Sequence, residues 1–171
     1  KWGWVIYRTS YKNEAAWDRF RDDITRRPRE ELEESAASPF VRGAADWTFV
    51  SDPALEGASH DELRARFRAW RARAYYAETR RGVPQTGADI TSRYLCFVEV
   101  DEAALDSVSR ASEPGGGPAV VNFIECDRDA AFAFDTVPEL DKWEGGDGYW
   151  EWRMLAERIS CLGFWQTYPT R

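Results

Sequence analysis

The chain has 171 residues, 43% hydrophobic and 31% charged, with a formal net charge of −7, a balance that excludes a mainly disordered polypeptide and fits a single domain over residues 1–171. No apolar run nears the about 20 residues that a membrane-spanning helix needs, so no membrane segment is expected, and the acidic balance opposes attraction to nucleic acid. Three cysteines (Cys96, Cys126 and Cys161) and no Asn-x-Ser/Thr acceptor point to a reducing, cytoplasmic setting in which the thiols are buried packing groups.

The opening "WGWVIYRTSY" alternates without a polar face. Trp2, Trp4, Ile6 and Arg8 point one way and Val5, Tyr7, Thr9 and Tyr11 the other, which predicts a central strand covered on both sides. Asn13 is placed to cap a helix in which Trp17, Phe20 and Ile24 recur at helical spacing. Pro28 is expected to interrupt or restart it, before the solvated charge run "REELEES".

"ADWTFVSDP" predicts a short strand ending at Asp52-Pro53. Ser59-His-Asp-Glu62 has the form of a capping box, followed by a helix whose apolar stripe is Leu63, Phe67, Trp70, Ala74 and Ala77. Arg64, Arg68 and Arg71 flank one margin of the stripe and Arg66, Arg73 and Arg80 the other. Arginines that bracket a buried stripe lay their stems along the core, so nucleic acid is not expected as a partner. His60, the single histidine, reads as a surface residue of the helix start, and without a second histidine no metal site is expected.

"RYLCFVEV" and "AVVNFIEC" predict two further buried strands, the first followed by a short helix capped by Asp101. The link "SEPGGGP" lacks the lysine and serine/threonine of a phosphate-cradling loop. The acidic stretch with Glu139, Asp141, Glu144 and Asp147 lacks the spacing of a calcium loop and reads as solvated. A last helix is expected from about Tyr149 to Leu162, with Trp150, Met154 and Cys161 on one side and Trp152, Leu155, Ile159 and Leu162 on another.

This order of elements predicts an α+β fold: a mainly antiparallel sheet with helices on one face, ferredoxin-like and of the dimeric α+β barrel kind, the open face covered in a homodimer. Residues two apart on a strand share a face. Arg8, Glu99 and Glu125 would then converge if their strands were neighbours and their faces coincided, one carboxyl donating and the other accepting a proton. Nine tryptophans exceed the needs of packing, and Trp4, Tyr7, Trp70, Trp150 and Trp152 are the expected lining of a pocket for a small hydrophobic or aromatic ligand. The function expected is a small-molecule-binding protein or a cofactor-independent enzyme of the acid/base isomerase, cyclase or lyase type, with no cofactor and no metal. The alternative is a non-enzymatic protein-protein interaction module with an exposed aromatic surface.

The opening "WGWVIYRTSY", followed by "AAWDRF", resembles a group of short proteins from filamentous fungi that begin Trp/Tyr-Gly-x-Val-Ile-Tyr-Arg. The resemblance extends to an internal strand like "YLCFVEVDEAAL" and a final aromatic helix. It implies a fungal, intracellular origin, and because no activity is established for the group it assigns no site residues.

Overall fold

Val5–Arg8 form strand β1, and all four residues are buried, as their two-faced apolar pattern requires. In the computed structural model, which describes residues 1–34, 39–79, 92–126 and 151–155, β1 leads into helix α1, Glu14–Glu34. Asn13 starts α1 as read from the sequence: its Oδ1 accepts from the Ala16 amide at 2.9 Å. Pro28 neither interrupts nor restarts the helix, which runs through it. An interior proline costs about 3 kcal/mol, and buried Ile24 and Leu32 on either side anchor the same face.

The short helix α2, Pro39–Gly43, leads to β2, Thr48–Val50, and Asp52 then caps a single 3₁₀ turn, Pro53–Leu55. Helix α3, His60–Thr79, follows. Its capping box forms as predicted: Glu62 Oε2 accepts from the Ser59 amide at 2.8 Å, and the Glu62 amide donates to Ser59 Oγ at 3.4 Å. Helix α4, Ser92–Leu95, runs into β3, Cys96–Val100. Then come α5, Glu102–Arg110, with Asp101 as its cap, and β4, Val120–Glu125.

The last described element corrects the expected helix over 149–162. Glu151–Leu155 is a strand, β5, paired antiparallel with β4 in a register that sets Val121 opposite Met154 and Phe123 opposite Trp152 along the backbone. A short apolar run has no decisive period of its own, and an available sheet edge decides it. Trp150 and the rest of that expected helix lie outside the described residues.

The five strands stand in the order β2-β1-β3-β4-β5. β1 is parallel to both β2 and β3, whereas β3–β4 and β4–β5 are antiparallel. The sheet is therefore mixed, which corrects the expectation of a mainly antiparallel, ferredoxin-like one. Parallel neighbours need long crossovers, and α1 and α3 supply them.

Helices cover both faces, a second correction. Trp4, Ile6, Val98, Val100 and Phe123 pack with Ala16, Trp17, Phe20 and Ile24 of α1 and with Leu105 and Val108 of α5. Val5, Tyr7, Phe97 and Ile124 pack with Leu63 and Phe67 of α3. The argument for a homodimer rested on an uncovered face, and that premise falls. Among the described residues no helix is long and apolar enough to cross a membrane.

The arginines of α3 behave as their bracketing position implies. Arg64 Nε donates to the Glu125 carbonyl at 3.0 Å, Arg68 Nη1 to the Cys126 carbonyl at 3.3 Å and Arg71 Nη1 to the Tyr94 carbonyl at 3.3 Å. Guanidinium heads thus satisfy backbone carbonyls at the end of β4 and in α4.

Candidate active site at the strand ends

The connection β1-α1-β2 moves to one side of β1 with its helix on one face, and the connection through α3 returns to the other side with its helix on the opposite face. Open sheets of this kind leave a crevice outside the carboxyl ends of the two strands where the winding reverses, here β1 and β3. Thr9 and Ser10 follow β1, Glu99 and Asp101 lie at the end of β3, and His60 is the first residue of α3.

At this place the side chains converge on Glu99. Its carboxyl group, 5% exposed, accepts from His60 Nε2 at 2.8 Å and from Asn122 Nδ2 at 3.1 Å on Oε2. Thr9 Oγ1 donates to Oε1 at 3.0 Å. Three donors offset the loss of hydration that burial costs an anion. A carboxylate only accepts, so the imidazole carries its proton on Nε2, and Nδ1 is the basic atom of the neutral ring.

The His60 side chain is 32% exposed, so the ring spans buried carboxylate and solvent. Among the described residues, the Glu99 carboxylate favours a charged ring, whereas the amino end of α3 disfavours one. A histidine held by a buried carboxylate and reaching solvent can take and return a proton.

Asn122 does more than hold Glu99, because its Nδ2 also donates to Asp101 Oδ2 at 3.0 Å. Asp101 Oδ1 accepts from the Ala104 amide at 2.7 Å as the cap of α5. The Tyr7 hydroxyl, from the residue paired with Glu99, is pushed up to about 12 by burial, with Arg66 pulling it down and Cys126 adding to the rise. The Ser10 hydroxyl, buried just beyond Thr9, has no hydrogen-bond partner among the described residues.

Arg8, Glu99 and Glu125 are not brought together. Glu99 pairs with Asn122 and Glu125 with Cys96, three pairs apart along β3 and β4. Glu99 shares the α3 face with Phe97, whereas Phe123 packs on the α1 face, so equal spacing on the two strands does not mean one side. Arg8 also turns to α1. Its Nη2 donates to Glu14 Oε2 at 2.7 Å, its Nη1 to Oε1 at 3.1 Å and its Nε to the Ser10 carbonyl at 2.8 Å. The guanidinium lies 4.2 Å from the Tyr11 ring centre and 5.1 Å from that of Trp17. Hydrogen bonding from Arg8 holds the Glu14 carboxyl below its ordinary value.

Of the expected ligand-lining aromatics, Trp4 and Tyr7 lie in the core, on opposite faces of the sheet, and Trp70 packs partly buried against it. Trp4 meets Phe123 edge-on at 4.8 Å, Tyr7 meets Phe97 edge-on at 5.3 Å, and Trp70 stacks on Phe67 and Tyr94 at 5.3 and 6.0 Å. Trp152 has its backbone in β5, and Trp150 lies outside the described residues. A cavity of about 310 Å³ between α1 and α5 has, among the described residues, Phe20 as its one aromatic side chain and lies on the face opposite His60.

Thr9, His60 and Asn122 were missed as site residues. The signal available was a lone histidine at the first position of a helix together with polar residues just past two buried strands. The pairing of those strands brings them together, and the sequence does not print it. Among the described residues no group of three or more histidine, cysteine, aspartate or glutamate side chains is arranged to hold a metal ion.

No curated protein and no solved structure matches the chain. Residues 3–78, from the lead into β1 to the end of α3 and so including Thr9 and His60, match the model of a family described as a domain of unknown function, DUF6924, in keeping with the resemblance to a group without an established activity.

Proposed function

We propose that the chain binds a small molecule at the carboxyl ends of β1 and β3 and acts on it as a cofactor-independent acid/base catalyst, with His60 exchanging the proton and Glu99 orienting and charge-balancing the ring. The observation that carries this reading is the 2.8 Å contact between a buried carboxylate and a part-exposed imidazole, in the place where open sheets of this winding bind ligands. Of the residues first read as catalytic, Glu99 keeps a role; Arg8 and Glu125 take none in this site.

The rim narrows the ligand. The helix starts around the crevice already carry their own acidic groups, Glu14, Asp61, Glu62, Asp101 and Glu102. Glu14, Asp61 and Glu102 are paired with Arg8, Arg64 and Lys12, but together these carboxylates already occupy the helix ends that would hold an anion, so a neutral or cationic polar molecule suits the site better than the hydrophobic ligand first expected. A cytoplasmic location, a fungal source and independence of nucleic acid go with this reading on composition and resemblance. The interaction-module alternative has, among the described residues, exposed Phe40 and Val41 on α2 and Tyr76 on α3 in its favour, three side chains on two elements against the several hundred Å² of a recognition patch.

The test is a ligand screen by saturation-transfer NMR with mixtures of hydroxy ketones, amino alcohols and amines. Each hit is repeated on His60→Gln and Glu99→Gln chains shown by circular dichroism to be folded. Hits that weaken about 10-fold or more in both variants are expected. A screen in which no hit depends on either residue overturns the proposal.

A further inference from the structure

We infer that Asn122 is the positioning residue of the His60–Glu99 pair: its amide, anchored on the cap of α5, keeps Glu99 turned toward the imidazole. This rests on the acid/base reading above.

Glu99 is held at both oxygens, by Thr9 on Oε1 and by His60 and Asn122 on Oε2. Thr9 is a single hydroxyl on the segment that follows β1. Asn122 differs because one nitrogen spends both of its protons on carboxylates, Glu99 at 3.1 Å and Asp101 at 3.0 Å. Asp101 is fixed in turn by the first turn of α5 through Ala104, and the backbone of Asn122 by its pairing with Glu99 in β3 and Arg153 in β5.

The two carboxyl groups are thus brought onto one nitrogen. Without the amide between them they would repel, and Glu99 has rotamers that lead away from both Asp101 and the ring. With the amide in place, repulsion becomes two charge-assisted hydrogen bonds, and the Glu99 oxygen facing His60 is the one Asn122 holds. Asn122 touches Glu99, not the imidazole, so its influence on proton exchange passes through the carboxylate.

The chain's single histidine makes this measurable without a substrate. Histidine labelled with ¹⁵N in the full chain reports the imidazole titration midpoint and the exchange of the Nε2 proton. Wild type is expected to show a protected Nε2 proton, and Glu99→Gln to lose it. In folded Asn122→Leu, protection is expected to fall about 10-fold or more and the midpoint to move down by about 0.5 unit or more, because the carboxylate that favours the cation has swung away. Asn122→Ser, which keeps one short donor, serves as the milder variant if the leucine chain does not fold, and is expected to shift in the same direction.

A midpoint that stays or rises in the folded variant, with the Nε2 proton still protected, overturns the positioning role and leaves the pair itself standing. A wild-type chain without a protected Nε2 proton overturns the parent reading. A purely structural Asn122 would lower the melting temperature without moving the midpoint.

Discussion

The two ends of β3 each carry a buried charge network, and the networks are built from different chemistry. At the amino end Arg93, 2% exposed, donates to the Gly3 and Asp46 carbonyls at 3.2 and 2.6 Å. It also reaches Asp46 Oδ2 at 2.7 Å and both oxygens of Glu78 at 3.1 Å, and it lies over the Trp70 ring. Tyr94 adds its hydroxyl to Glu78 at 2.6 Å. At the carboxyl end the centre is a carboxylate, and its titratable partner is an imidazole.

The difference lies in what can change. A guanidinium keeps its proton throughout the working pH range, so the Arg93 cluster joins the lead into β1, the approach to β2 and the end of α3 without titrating. An imidazole changes charge near neutrality. One end of the strand is a rivet, the other holds a titratable group, the one we propose exchanges the proton. The rivet also relies on Gly3, whose φ of +110° lets the lead into β1 run against the Asp46 backbone; a Cβ there would stand 2.5 Å from the Asp46 carbonyl oxygen.

Arg93→Met tests the comparison most severely. Removing the cation takes two hydrogen bonds and the nearest positive charge from part-buried Glu78, leaving it Tyr94 and a more distant Lys1, while Asp46 keeps Lys1; a loss of about 3 kcal/mol in chemical denaturation is expected, with the His60 midpoint unmoved in the chains that remain folded. A shift of that midpoint would show the two ends to be coupled. Thr9→Val is the smaller cut at the other end: one of three donors to Glu99 goes, with an expected cost of about 1–2 kcal/mol and a melting transition that stays cooperative. Full stability in this variant would remove Thr9 from the network.

The smallest effect is on acidification. Burial pushes the Glu78 carboxyl up, but hydrogen bonds from Arg93 and Tyr94 and the charge of Arg93 pull it further down, so it ends below its ordinary value. A folded value below the unfolded one of about 4.3 means stabilisation that is present above that pH and lost as pH falls through the lower folded value. Melting temperatures taken downward from about pH 6 should therefore fall less steeply in Arg93→Met than in wild type. Parallel profiles would show that Glu78 contributes nothing to the acid limb.

Helix starts were legible from the sequence because they are local: Asn13, Ser59 with Glu62, and Asp101 each act within three residues. The two-faced burial of β1 was legible for the same reason. The convergence of Arg8, Glu99 and Glu125 was not, since it depended on strand order and register. Equal-looking motifs on β3 and β4 place Phe97 and Phe123 on opposite faces, and a shift of one residue exchanges the faces of a strand. The capping box, read correctly, also concealed His60, because a surface helix start is a sufficient local account of it.

By itself the sequence determined the elements that a cap, a stripe or an alternation specifies, and with them the buried, two-sided character of the opening strand. Only the tertiary structure decided that the sheet is mixed, that 151–155 joins it as a strand, that Arg8 serves α1, and that the lone histidine meets Glu99. Each of these depends on which strands become neighbours, and that is set by how α1 and α3 bury their apolar stripes on opposite faces, a contest among distant residues that no short window contains.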